Sequence, residues 1–210
     1  MTRPALLVGV CGTATEVGKT FVAAALARSL RAAGRTVAAR KPLQSFEPHD
    51  PHPTDAEVLA AASGEDPHEV CPAGRWLPVP MAPPMAADAL GQPCPTLAQV
   101  VGDLAWPDVD VGLLETVGGV RSPLAADGDS RDLVRAAAVD VVLLVADAGL
   151  GTIDAVRSAV DQLVPLRVVT VLNRFDDANE LHVRNWRWLE ERDGFEVVVD
   201  VEAAAARLLR

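Results

Sequence analysis

The stretch GVCGTATEVGKTFVAAALARSL, residues 9–30, joins an apolar run to a turn of small residues, then to Gly-Lys-Thr and a long apolar-periodic segment. A strand that leads through such a turn into a helix beginning at Gly-Lys-Thr is the context of a phosphate-binding loop. Backbone N–H groups of the turn and of the helix N-terminus would point at phosphate oxygens. Lys19 would reach the terminal phosphates, and Thr20 would offer its hydroxyl to Mg²⁺.

The rest of the chain alternates short Val/Leu-rich runs with longer Ala/Leu/Arg stretches at helical spacing, which is typical of a parallel α/β sheet. Most of the short runs are apolar at every position, as a sheet covered by helices on both faces requires. The predicted strands span residues 5–11, 36–41, 111–117, 139–147, 166–173 and 195–201. The predicted helices span residues 18–33, 54–63, 96–105, 129–138, 152–164, 179–192 and 202–209.

We therefore predict a three-layer α/β/α domain with a mostly parallel central sheet, of the P-loop NTPase type, that spans residues 1–210. Several of the predicted helices open on residues suited to capping, namely Thr54, Thr96, Asp129 and Thr152. Two stretches, residues 42–53 and 72–95, are too irregular and too rich in proline for a sheet interior. We predict that they are long loops, and long loops in such domains are often functional.

Composition narrows the classes of function. The chain has 29 acidic and 19 basic side chains, a formal net charge of −10, which is the wrong sign for binding a nucleic-acid backbone. It has no apolar stretch near the roughly 18 residues that a membrane span needs, and its first residues do not form a signal peptide. Three widely spaced cysteines predict neither a disulfide framework nor a zinc site. We expect a cytoplasmic protein.

Polar residues at or just beyond the carboxyl ends of the predicted strands should meet at one edge of the sheet, because ligands of open parallel sheets sit there. These residues are Lys41, Ser45, Asp55, Glu115 and Asn173. Asp55 has a competing interpretation as a helix-capping acid, since it lies in the first helical turn. Glu115 is the most telling, because a carboxylate inside an apolar strand is costly unless it is paired or bound to a cation.

The motifs GTATEVGKT, KPLQS, the Thr-Asp of HPTDAEVL, LLETVGGVRSPLA and VLNR occur in this order between residue 6 and about residue 175. Together they resemble the dethiobiotin synthetase family, whose loop motif G-T-D-T-x-V-G-K-T also explains one extra residue between Gly12 and Gly-Lys. The family's K-P-V-x-S/T-G corresponds to residues 41–46, and its E-G-A-G-G to residues 115–119.

The resemblance implies an ATP-dependent closure of a cyclic urea on 7,8-diaminononanoate with CO₂. An amine takes up CO₂ to form a carbamate, ATP phosphorylates the carbamate, and the second amine attacks the mixed anhydride and expels phosphate. Lys19, Lys41 and Mg²⁺ would stabilise the negative charge that accumulates in this chemistry. The substrate is bound across a two-fold interface in the family, so a homodimer is also implied.

The resemblance assigns roles residue by residue. Lys41, Lys19 and Thr15 are the expected catalytic residues, and Ser45 joins Lys41 in substrate binding. Thr20, Asp55 and Glu115 would hold Mg²⁺, and Asn173 would recognise the base. The other residues expected to contact the nucleotide are Glu16, Val17, Gly18, Phe21, Thr116, Val117 and Gly118.

The sequence departs from the family pattern at Ala14, Phe46 and Thr116-Val117, and it lacks a G-x-I-P-type adenine loop after the last predicted strand. Four alternatives therefore stay open at this point. The chain could be a diverged relative acting on another amine or acid, or an amidating ligase of the cobyrinate-diamide-synthase type, although those usually carry a glutaminase domain. It could also be a nucleotide-switch or partitioning ATPase, although these typically have an earlier loop lysine, or a binding module without activity.

Overall fold

The structure, a computed structural model, describes residues 3–210. Its central sheet consists of six parallel strands. Their order across the sheet is β10-β9-β8-β1-β5-β2. They span Leu6–Gly12 (β1), Val37–Arg40 (β2), Val111–Glu115 (β5), Val141–Asp147 (β8), Val168–Asn173 (β9) and Glu196–Val198 (β10). All six were predicted from the apolar runs, and the prediction of a parallel α/β sheet is confirmed.

The chain reverses its direction of travel across the sheet at β1. This strand pairs with β5 on one side and with β8 on the other, both in parallel. The crevice between the two halves therefore opens at the carboxyl end of β1, where the Gly-Lys-Thr loop begins. A switch point of this kind is where open α/β sheets bind ligands.

Helices cover both faces of the sheet, which gives the three predicted layers. One core cluster joins the sheet to α1, α2 and α9, and the other joins it to α4, α5, α6 and α7. The helices span Lys19–Ala32 (α1), Asp55–Ser63 (α2), Pro67–Val70 (α3), Pro83–Ala89 (α4), Leu97–Gly102 (α5), Ser130–Ala136 (α6), Thr152–Leu163 (α7), Glu180–Arg187 (α8) and Val201–Leu208 (α9). A π-helical turn, Trp188–Arg192, follows α8 directly.

Three of the four predicted caps are confirmed. Thr54, Thr96 and Asp129 each accept a hydrogen bond from the backbone N–H three residues later, as part of a capping box. The fourth prediction is wrong, because Thr152 is the first residue inside α7. The residue before it, Gly151, takes the cap position with a left-handed φ of 88°.

The two predicted loops contain more structure than expected. Short strands at Gln44–Ser45 (β3) and Trp76–Leu77 (β4) pair with each other in parallel. The helix α4 lies inside the second proline-rich stretch and begins at Pro83, and proline is tolerated in a first helical turn because its missing N–H has no partner there. Proline content therefore misled the prediction at α4. Pro123–Ala125 (β6) and Gly128–Asp129 (β7) form a further antiparallel pair.

None of the helices in the described region is both long enough and apolar enough to span a bilayer.

Candidate active site

The loop between β1 and α1, residues 13–18, has backbone geometry that requires glycine at its last position. Gly18 has a left-handed φ of 93°, and a Cβ placed there would lie 2.1 Å from Asn173 Nδ2. Glu16 also takes a left-handed φ, 61°, which is uncommon for a residue with a side chain. Such conformations turn successive N–H groups toward one side, as in anion-binding loops.

Lys19 opens α1 and folds back over this loop. It is only 7% exposed, and its Nζ lies 3.3 Å from the carbonyl oxygen of Ala14. Burial, together with the nearby charge of Lys41, lowers the pKa of Lys19 from its ordinary value. A cation in this environment gains from a neighbouring anion such as a phosphate group.

Four side chains from four different elements meet beside Lys19. The ammonium of Lys41, just after β2, lies 2.6 Å from Glu115 Oε1 and 2.5 Å from Asp55 Oδ2. The hydroxyl of Thr20 lies 2.8 Å from Asp55 Oδ1 and 2.8 Å from Glu115 Oε1. Lys41 is 3% exposed and Glu115 is 1% exposed, so the ion pair between them is buried, whereas the side chain of Asp55 is 45% exposed.

The electrostatics of the cluster keep Lys41 charged. Burial opposes its charge, but Glu115 and Asp55 outweigh burial and hold the pKa of Lys41 above its ordinary value. Burial would also raise the pKa of Asp55, yet the ammonium of Lys41 brings it below the usual range. At Glu115 burial prevails and the pKa is raised.

The cluster also fits a hard divalent cation. Thr20, Asp55 and Glu115 supply a hydroxyl and two carboxylates, the oxygen ligands that Mg²⁺ prefers. Glu115 Oε2 is buried and accepts no hydrogen bond from any residue between 3 and 210. A buried carboxylate oxygen without a partner is costly, and a cation would remove that cost.

A cavity of about 530 Å³ opens above this cluster and contains most of the predicted site residues. Its lining includes eleven residues, of which ten were predicted: Thr15, Glu16, Gly18, Lys19, Thr20, Lys41, Ser45, Asp55, Val117 and Gly118. Glu115 lies beneath the lining, in contact with Thr20 and Lys41. The folded chain therefore gathers side chains from four separate motifs at the predicted edge.

Besides Glu115 and Asn173, three predicted nucleotide contacts do not line this cavity. Thr116 is fully buried, and its hydroxyl donates to the carbonyl oxygen of Val10. The side chain of Val17 packs in the core. Phe21 is 63% exposed on α1, outside the cavity lining. Contact of Val17, Phe21 and Thr116 with the nucleotide remains a prediction.

Asn173 lies next to the loop but uses its amide for a structural contact. Its Nδ2 donates to the carbonyl oxygen of Val17 at 2.9 Å. This hydrogen bond anchors the loop to the end of β9. Base recognition by Asn173 remains a prediction.

Arg174 is the lining residue that sequence reasoning missed. Its guanidinium donates to the carbonyl oxygen of Glu16 at 2.9 Å and to Asp147 Oδ2 at 3.0 Å. It therefore connects the phosphate-binding loop with the ends of β8 and β9. Arg174 is the last residue of the VLNR motif and follows Asn173 at the end of a predicted strand, and these were the available signals.

Two bulky residues that depart from the family pattern, Phe46 and Val117, lie in different parts of the site region. Phe46 packs edge-on against Trp76, with ring centroids 6.0 Å apart, and does not line the cavity. Val117 does line it. Of these two departures from the family pattern, only Val117 therefore faces the cavity.

Known proteins resemble this chain in sequence over most of its length. Residues 7–204 match a protein family described as an AAA domain. An ATP-dependent dethiobiotin synthetase from Haloferax mediterranei is 38% identical over 189 residues, covering 88% of this chain and 79% of that protein. The synthetase of the same name from Anaeromyxobacter dehalogenans is 41% identical, covering 79% of this chain and 75% of that protein.

Solved structures with a similar fold include a plasmid partition protein from Borrelia burgdorferi. It has a TM-score of 0.59 at 11% identity and covers 99% of both chains. A chloroplast FtsY from Physcomitrella patens has a TM-score of 0.52 at 17% identity, covering 100% of this chain and 66% of that one. At such low identity these similarities concern the fold alone.

Proposed function

Since this chain belongs to the ATP-dependent dethiobiotin synthetase family, we propose that its cavity closes the cyclic urea of dethiobiotin from 7,8-diaminononanoate, CO₂ and ATP. The protein is an enzyme of biotin biosynthesis, a ligase that uses ATP. The observation that supports this chemistry best is the cluster of Lys41, Asp55 and Glu115 facing the Gly-Lys-Thr loop.

The main task of the site is to bind anions and to stabilise their negative charge. A carbamate and the γ-phosphoryl group both carry negative charge, and that charge is shared between them in the transition state. Lys19 and Lys41, which are both buried and both line the cavity, would stabilise it in an environment where electrostatic interactions are strong. Two lysines replace the water that would otherwise solvate these anions.

Hydroxyl groups would orient the reacting oxygens. Thr15 and Ser45 both line the cavity, and each can donate one hydrogen bond to a carbamate or phosphoryl oxygen. The loop N–H groups of residues 16–20 would hold the nucleotide phosphates. The substrate would thus be kept in line with the phosphoryl group, which is the geometry that transfer requires.

Thr20, Asp55 and Glu115 would hold Mg²⁺. When bound, the ion supplies charge neutralisation to the nucleotide phosphates. Lys41 stays protonated beside these carboxylates, so it acts as a fixed positive charge rather than as a base.

We also propose that residues 1–210 act as one domain, and that the protein is a cytoplasmic homodimer that binds no nucleic acid. Dependence on ATP supports a location inside the cell, and the net charge of −10 disfavours nucleic-acid binding. The homodimer is implied by the resemblance to the family, in which the substrate is bound across a two-fold interface. Sedimentation of the wild type at several protein concentrations would test it.

The activity is tested by phosphate release from ATP with Mg²⁺ and bicarbonate, with and without 7,8-diaminononanoate, while dethiobiotin is followed by mass spectrometry. We expect release that depends on the diamine, with product formed in equal amount. Nucleotide binding without diamine-dependent release would contradict this substrate and favour a relative that acts on another amine or acid.

A further inference from the structure

Gln44 connects the segment that carries Lys41 to the helix that carries Asp55. Its side chain is buried, with the residue 1% exposed, and its Oε1 accepts a hydrogen bond from the backbone N–H of Ala56 at 3.0 Å. Ala56 directly follows Asp55 in the first turn of α2 and is fully buried. A side chain thus satisfies one of the N–H groups that a helix start leaves without a partner.

The capping box at this helix start does not serve the same N–H. Thr54 Oγ1 accepts from the N–H of Glu57, and the Glu57 carboxylate accepts from the N–H of Thr54. Within the part of the chain that the structure describes, Gln44 is the acceptor for Ala56. Without it, a buried donor next to Asp55 would have no partner, which is costly.

The hydrogen bond between Gln44 and Ala56 holds the first turn of α2, which carries the carboxylate of Asp55. This carboxylate has little freedom to move. Asp55 Oδ1 and Oδ2 reach Thr20 and Lys41 at 2.8 Å and 2.5 Å. A small displacement of the first turn of α2 would lengthen both contacts. Gln44 lies three residues after Lys41, and its strand is held by pairing with Trp76 in β4. One short segment therefore positions Lys41 and, through Gln44, Asp55.

We propose that Gln44 is a positioning residue that sets the affinity of the site for its divalent cation by fixing the Asp55 carboxylate. This inference rests on the proposed role of Asp55 in holding Mg²⁺. The carbonyl end of the amide carries the role, since Nε2 is buried and has no hydrogen-bond partner anywhere in residues 3–210. The structure therefore separates the acceptor from the donor of this side chain.

Because only the acceptor oxygen of Gln44 has a partner, two substitutions can test the acceptor and the donor separately. Gln44→Met keeps the length of the side chain and removes the acceptor, whereas Gln44→Glu keeps an acceptor and removes the amide donor. Mn²⁺ binding to each protein, saturated with a non-hydrolysable ATP analogue, is measured by electron paramagnetic resonance. We expect Q44M to bind Mn²⁺ about tenfold more weakly, the effect of losing one well-made hydrogen bond. We expect Q44E to bind it at least as tightly as the wild type.

A matched control is Thr54→Ala, which removes the cap of the same helix but leaves the Gln44–Ala56 hydrogen bond. Its thermal unfolding and that of Q44M are compared alongside Mn²⁺ binding. Equal weakening of Mn²⁺ binding in T54A and Q44M would overturn the proposal. It would mean that any loss of stability of α2 weakens Mn²⁺ binding, whether or not the Gln44–Ala56 hydrogen bond is present. Unchanged binding in Q44M would also overturn it. If Q44M does not fold, the measurement on Q44E tests the proposal. Weakened Mn²⁺ binding in a folded Q44E would then contradict a role for the oxygen that accepts from Ala56.

Steady-state kinetics give a second readout. We expect Q44M to raise the Mg²⁺ concentration needed for half-maximal rate about tenfold, with kcat restored at saturating Mg²⁺. If no dethiobiotin is formed by the wild type but Mn²⁺ binding still depends on Gln44, the proposed reaction fails and the role of Gln44 stands.

Discussion

At the scale of single residues, the site depends on a positive charge placed between two carboxylates. Lys41 contacts both Asp55 and Glu115 and is nearly inaccessible to water. Burying the charges of Lys41 and Glu115 is tolerated only when the two are closely paired. Lys41 thus serves the resting protein as a counter-ion, and we propose that it serves the reaction as a catalytic cation.

Lys41→Ala should reduce kcat at least about 100-fold, since it removes a preorganised charge from the transition state. Binding of Mg²⁺-ATP should change little, because the loop and Lys19 hold the phosphates. Single-turnover phosphate release and equilibrium nucleotide binding measure the two effects. Lys41→Arg, which keeps the charge in a different shape, is the control. Full activity of the alanine variant would remove Lys41 from the catalytic residues.

Arg174→Ala should weaken ATP binding about threefold to tenfold, because Glu16 then loses the donor that holds its carbonyl oxygen. The guanidinium is largely exposed, so its ion pair with Asp147 contributes little by itself. Asp147→Asn is therefore the control and should bind ATP nearly as well as the wild type. Equal losses in the two variants would show that the ion pair, rather than the contact with the loop, matters.

At the scale of elements, the edge strand β2 is protected by a side chain from beyond the end of α2. Glu65 Oε2 accepts the N–H of Ala39 at 2.7 Å, and Oε1 lies 2.6 Å from Arg40 Nη1. Both members of the ion pair are about nine-tenths buried. Covering an edge in this way satisfies backbone groups that would otherwise attract another chain.

Glu65→Ala should lower the free energy of unfolding by about 3 kcal/mol, since it leaves Arg40 as a buried charge without its carboxylate. Urea denaturation measures the loss. Glu65→Gln, which retains an acceptor for Ala39, should lose less. A loss below about 1 kcal/mol in the alanine variant would mean that water replaces the carboxylate.

A second prediction concerns β10 and pH. Two hydrogen bonds from Arg167 hold the pKa of Glu196 below its ordinary value, although both side chains are about one-third exposed. A lowered pKa in the folded state adds stability above the unfolded pKa, about 4.3, and loses it as pH falls through the folded value. The stability difference between the wild type and Glu196→Gln should therefore be below about 1 kcal/mol at pH 7 and shrink below pH 4. A difference that grows on acidification would contradict this sign.

At the scale of the whole molecule, the layers shield two of the three thiols. Burial raises the pKa of Cys11 and of Cys71 to about 12, and both are inaccessible in the folded chain. Cys94 is only partly buried. Reactivity toward a thiol reagent follows thiolate character and exposure.

One thiol per chain should therefore react with a disulfide reagent in the folded protein at pH 8, and three should react after denaturation in guanidinium chloride. Absorbance of the released thiolate counts them. Cys94→Ser should abolish the fast reaction. A fast reaction that survives in this variant would mean that the layers open readily.

Sequence patterns alone were enough to predict the central sheet, most of the helices that cover it and the position of the phosphate-binding loop. Apolar runs and helical periodicity are local patterns, and the carboxyl ends of parallel strands necessarily meet at one edge. For the same reason Lys19, Lys41, Ser45 and Asp55 could be assigned to one cavity. The short elements β3, β4 and α4 escaped prediction, because contacts made elsewhere in the fold stabilise them more than their own sequences do.

The pairing of the side chains at that edge depends on the fold as a whole and could not be predicted from the sequence. The tertiary structure directed Phe46 away from the cavity, buried Thr116, and brought Arg174 to the loop across 158 positions of sequence. It also joined Gln44 to the helix that carries Asp55. A local pattern records which face of a strand is apolar, but a contact between distant side chains depends on strand order, on helix packing and on the conformation of the loops between them.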